Sequence, residues 1–130
     1  MIRVHWALPS PVAAALAAVA GFAGWAAFSL GGTVGEAWDS STWWMVALPL
    51  LAVAVALLGY LAPERAWRWA IAAVCGQLLA MMLLRPPATD LGLLPLAVVL
   101  VLVPEGLTFG VLAIIGGAIG QHWRNRRNPA

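Results

Sequence analysis

Charge is scarce in this sequence of 130 residues. Asp, Glu, Lys and Arg together make up only 9% of it, against about 25% in soluble domains. Lysine is missing, so the seven basic residues are all arginines. The single cysteine, Cys75, rules out an intrachain disulfide and any mechanism built on paired thiols. No Ser/His/Asp set, no metal-ligand cluster and no paired acids stand out. The chain is therefore not read as an enzyme, and neither a metal nor a cofactor is expected. A net charge of only +2 gives no footprint for nucleic acid.

What fills the chain is apolar. Hydrophobic residues reach 63% and the mean hydropathy is +0.91. A soluble domain of this size leaves much of its surface in water, so it cannot hide that composition. The expected class is an all-α polytopic membrane protein forming one domain over residues 1–130. Ala, Gly, Arg and Pro, all with GC-rich codons, point to a bacterial source and hence to the cell inner membrane.

A spanning helix needs about 20 apolar residues. The expected spans are Val12–Leu30, Trp43–Ala62, Trp67–Leu84 and Leu93–Gly120, a bundle of four transmembrane helices with tails at 1–11 and 121–130. Ser10-Pro11 reads as a cap followed by proline at the first helical position. Asp39-Ser40-Ser41-Thr42 offers caps for the second span, and Arg85-Pro86-Pro87 stops the third. The fourth stretch is overlong and contains Pro104-Glu105-Gly106. It reads as one helix kinked at Pro104, or broken there into a re-entrant pair. No internal repeat stands out. Ala18-Val19-Ala20 resembles a signal-peptide cleavage site, but the apolar run continues to Leu30, which favours an uncleaved span.

Orientation follows the arginines. The first loop holds Glu36 and Asp39 without a basic residue, whereas the second holds Arg65 and Arg68, and Arg124, Arg126 and Arg127 follow the last span. Both termini are thus expected in the cytoplasm, with the arginine tail also meeting anionic lipid head groups. Trp6, Trp38, Trp43, Trp44, Trp67, Trp69 and Trp123 fall at span ends, and only Trp25 lies inside one. That pattern is an interfacial aromatic belt.

Few residues are placed to carry chemistry. Glu105 is the one acid inside an expected span. A carboxylate at that depth is a functional-site candidate by default. The alternative is a structural acid, protonated or paired, beside the break at Pro104. Gln77, in the middle of the third span, is the polar partner expected to meet it, with a bond worth about 0.6–2 kcal/mol. Gly106, Gly110, Ala113, Gly117 and Gly120 form a helix-packing stripe, and Ala13, Ala17, Gly21 and Gly24 form another. The two stripes are expected to bring the first and fourth helices together, or to form a homodimer face. Cys75 is expected as a small buried hydrophobe. His5 and His122 lack the further ligand that a metal site needs.

Several small membrane families are set aside by residue. Small multidrug exporters carry a glutamate in the first helix, which has none here. Fluoride channels need an arginine in the glycine-rich turn, absent from Gly31-Gly32-Thr33-Val34-Gly35. Quinone-linked thiol oxidases need cysteine pairs. The expected function is a non-enzymatic subunit or scaffold in contact with the lipid bilayer, as a homo-oligomer or within a larger membrane complex. The alternative is a small oligomeric transporter or proton/ion-coupled channel using Glu105.

The arginine asymmetry makes a direct prediction. Reporter fusions at Asp39, Arg65, Asp90 and Pro129 should read outside, inside, outside and inside. A periplasmic signal at Pro129 would refute the four-span topology.

Overall fold

A computed structural model describes residues 7–31, 40–84 and 94–127. The described residues form four helical rods and no strand. The first is α1 (Ser10–Gly31). The second opens with a π-helical turn, Trp43–Ala47, and continues as α2 (Leu48–Leu61). The third is α3 (Trp67–Leu83). The fourth runs from α4 (Leu94–Ala97) through a second π-helical turn, Val98–Leu102, into α5 (Val103–Arg127). Three of the rods, at Ser10–Leu30, Trp43–Leu61 and Val98–Arg127, are long and apolar enough to cross a membrane.

Several sequence expectations change here. The fourth rod is continuous through Pro104-Glu105-Gly106, so there is no re-entrant turn. The irregularity lies just before it, in the π turn. Proline lacks the N–H that an α-helix would use, and the extra residue of a π turn sits ahead of that gap. Pro49 follows the turn at Trp43–Ala47 in the same way, and Leu48 N–H reaches back to the Trp43 carbonyl. Thr42 makes no side-chain cap, and the loop acid Asp39 lies outside the described residues. The last helix runs past Gly120 to Arg127, because nothing between Gln121 and Arg127 breaks a helix.

The expected contact between the first and last helices is also corrected. α1 lies along α3, and α5 along α2, while α3 bridges to α5. The members of each pair run parallel. Near one end of α1, Ala17 shares a core cluster with Trp69, Ala70 and Ala73, and near the other Trp25 shares one with Ala80 and Met81. Each pair closes on a reciprocal contact. A Cβ on Gly21 would strike the Ala73 carbonyl oxygen, and one on Gly76 the Ala18 carbonyl oxygen. In the other pair, Gly59 faces the Ala113 carbonyl and Gly116 the Ala56 carbonyl. All four sites read Ala-x-x-Gly. Only hydrogen at Cα allows backbones this close, and Cα–H···O contacts accompany such crossings.

The symmetry exposes a repeat that the sequence hides. Ala15-Leu16-Ala17-Ala18-Val19-Ala20-Gly21 in α1 matches Ala70-Ile71-Ala72-Ala73-Val74-Cys75-Gly76 in α3. The π turns and their prolines, Pro49 and Pro104, recur at the same offset. The chain is thus two similar helical hairpins packed about an approximate two-fold axis.

The buried face of α5 is Glu105, Phe109, Ala113, Gly116, Gly117 and Gly120. The expected stripe keeps Ala113, Gly117 and Gly120. Gly110 leaves it, with nothing within 4 Å of an added Cβ, and Gly106 meets only the Val74 side chain at 3.4 Å. Ala13, Ala17 and Gly21 are buried on α1, with Trp25 rather than Gly24 completing the row. Tryptophan, too, departs from the belt. Trp44, Trp67 and Trp123 are exposed, but Trp25, Trp43 and Trp69 are core residues. Trp6 and Trp38 lie outside the described residues.

The glycines fall into two classes that should respond oppositely. Alanine at Gly21, Gly59, Gly76 or Gly116 drives Cβ into a partner backbone and should lower stability by about 1–3 kcal/mol. Gly110→Ala meets open space and should raise it by up to about 1 kcal/mol through helix propensity. Thermal unfolding in detergent reads both, and equal losses at Gly110 and Gly116 would refute the assignment.

Candidate functional site

The inner face of α3 carries Trp69, Ala73, Gly76, Gln77 and Ala80 at helical spacing. Gln77 is thereby fixed at its centre, 0% exposed. Glu105 stands in the first turn of α5, one turn beyond buried Leu102 and one before Phe109. It is 7% exposed. The close approach of α3 and α5 joins the two. Gln77 Nε2 donates to Glu105 Oε1 at 2.7 Å, which is the pairing expected from the sequence. Pro104, the third member of the expected site, lies on the exposed side of α5. Its carbonyl accepts from Thr108 Oγ1 at 2.9 Å, and its role is to shape the helix ahead of Glu105.

Among the described residues, three buried polar atoms have no partner: Gln77 Oε1, Glu105 Oε2 and Trp43 Nε1. The first two are the unused halves of an acid–amide pair. A proton on Oε2 would give the pair a second donor, and Gln77 Oε1 is an acceptor without one. An ionised Glu105 would set acceptor against acceptor, at a site where an unpaired charge is very costly. Trp43 belongs to the adjoining aromatic cluster. Its ring meets Trp25 edge-on, with centroids 5.2 Å apart, and Phe28 at 5.6 Å. Trp43 opens its helix, the position of a belt tryptophan, yet its side chain is buried. The π turn is what rotates it inward.

A second constellation, also missed, closes the arginine-bearing end. The last carbonyls of α2 have no helical partners. Arg124 Nη2 donates to the Tyr60 and Leu61 carbonyls at 2.7 and 3.2 Å. Leu8 N–H donates to Leu61 O at 3.2 Å, and Trp69 Nε1 to Ala62 O at 2.7 Å. Arg124 thus caps a helix, whereas Arg126 and Arg127 remain exposed. Arg65 takes the left-handed backbone of the tight turn, with φ 54°.

Cys75 is exposed, not buried, because it points away from the face that holds Gly76 and Gln77. His122 is exposed, and His5 lies outside the described residues. Among the described residues, no three His, Cys, Asp or Glu side chains group to hold a metal.

The fold and the buried pair define an all-helical bundle whose apolar helices suit a membrane. The chain matches no protein-family model, no curated protein and no solved structure.

The pair should behave as a coupled unit. Glu105→Gln keeps a donor and should stay within about 0.5 kcal/mol of the native protein. Glu105→Leu or Gln77→Leu strands a polar group and should cost about 1–3 kcal/mol. The double Leu variant should lose less than the sum. Strict additivity in detergent unfolding would show that the two side chains act separately.

Proposed function

We propose that the chain is a small, non-enzymatic integral membrane protein, a subunit or scaffold, with four spans and both termini in the cytoplasm of a bacterial inner membrane. The observation that carries this reading is the inward bond of Gln77 to Glu105. The one acid of the spans is engaged in holding α3 to α5 and is almost fully enclosed. The third helix, Trp67–Leu83, has 17 residues, or about 26 Å of rise. That is short for a span, but mismatch of this size is accommodated by local thinning or tilt. Its parallel packing on α1 supports the same membrane depth for both. Two hairpins of two spans each keep the same orientation, in line with arginines at the turn between them and after the last helix.

A second reading has its own observation. The unpartnered Glu105 Oε2 and Gln77 Oε1 leave a proton-accepting position inside the bundle, as a proton- or ion-coupled channel or transporter would need.

Reconstitution separates the two. Proteoliposomes loaded with a pH-sensitive dye should show no proton flux above empty vesicles, and Glu105→Gln should change nothing. Flux that Glu105→Gln abolishes would overturn the scaffold reading in favour of the transporter. For the scaffold, purification from native membranes in mild detergent should recover a stoichiometric membrane partner or a homo-oligomer. A lone monomer in that experiment would count against it.

A further inference from the structure

Two grooves meet on the outer face of α3. One lies between α3 and α5, has a volume of about 470 Å³, and is lined by Trp67, Ile71, Val74, Gly106, Gly110 and Ile114 among others. Its walls are apolar, and it exists because Gly110 has nothing opposite it. The other lies between the starts of α1 and α3, about 560 Å³, and is edged by Ser10, Pro11, Ala14 and Arg68. Trp67 and Ile71 line both. The second groove, itself largely apolar, thus carries one cation, Arg68, and lies beside the first across Trp67 and Ile71.

The geometry points to an anionic glycerophospholipid as the occupant, with its phosphate at Arg68 and one acyl chain along the α3–α5 groove. Three features select it. The volumes lie in the range of ligand pockets, roughly 300–1,000 Å³. Among the described residues the cation sits at one end, where a head group would be, and Arg65 stands exposed in the turn just before it, beside the acid Glu64. Arg124 is taken up by the α2 carbonyls, whereas Arg68 remains exposed. Guanidinium binds phosphate through paired N–H donors, and basic recesses between helices at the cytoplasmic face hold anionic head groups. Trp67, about half exposed, is the amphipathic side chain suited to the level between head and tail. A second helix in the groove would explain Gly106 and Gly110 but not the adjoining arginine.

The inference rests on membrane embedding, which alkaline washing of membranes tests by itself. Lipid binding is read by native mass spectrometry of the full chain, extracted in mild detergent with equimolar phosphatidylglycerol and phosphatidylcholine. One phosphatidylglycerol should be retained about five-fold over phosphatidylcholine, the effect of about 1 kcal/mol for one arginine. Arg68→Gln, an exposed change, should abolish that preference. Gly110→Leu fills the α3–α5 groove and should lower retention of both lipids while the melting temperature stays at or above the native value. Equal retention of the two lipids by the native chain would overturn the proposal. So would undiminished phosphatidylglycerol in both variants, or displacement by glycerol 3-phosphate as effective as by whole lipid, because the tail would then contribute nothing.

Discussion

The arrangement of the whole bundle depends on backbone meeting backbone at four glycines. In hydrocarbon there is no hydrophobic drive to press helices together, so association rests on close packing and on polar contacts. Gly21 and Gly76 bring α1 and α3 within reach of each other's Ala carbonyls, and Gly59 and Gly116 do the same for α2 and α5. Because helices two apart in the chain pair in parallel, consecutive helices pack more lightly on each other. The order of the rods then follows. The two glycine-stapled pairs are laid together, and α3 against α5 is the main seam between them.

That seam is where polarity is concentrated. Gln77 and Glu105 face each other across it, level with the end of the Trp25–Trp43 cluster formed through Ala80, Met81 and Leu102. A polar pair in such a position gives register, because sliding either helix by one turn strands both side chains. It also gives the two otherwise similar halves distinct identities. Phe22 stands in α1 where Gln77 stands in α3, so the polar clasp occurs once in a structure that otherwise repeats itself. The apolar weight is carried elsewhere, by rows such as Ala13, Ala17 and Gly21 that are nearly devoid of side-chain bulk.

The turn at Ala62–Ala66 shows the same economy of polar groups. Carbonyls from Tyr60 to Ala62 lose their helical partners where α2 ends, and donors from the chain start, α3 and the last helix converge on them. An arginine that counts toward orientation is thus also a structural cap. Trp69, placed at a helix end like any belt tryptophan, turns its indole N–H inward to do the same.

Composition and periodicity alone determine that the chain is helical, apolar and divided into four rods, since runs of this hydropathy between polar and proline-rich breaks have no other stable form. They also isolate Glu105 and Gln77, because a polar group in an apolar run must find a partner. Which helices pair is not contained in them. A small-residue stripe such as Gly106, Gly110, Ala113, Gly117 and Gly120 fits any partner, and its face is uncertain by the angle of one side chain. The π turn before Pro104 and the path of α5, from α3 across to α2, set that angle. They bury Gly116 and leave Gly110 open, and the π turn at Trp43–Ala47 turns Trp43 inward. The repeat stayed hidden for the same reason: four Ala-x-x-Gly sites are unremarkable among so many alanines until the fold sets each glycine against the matching carbonyl.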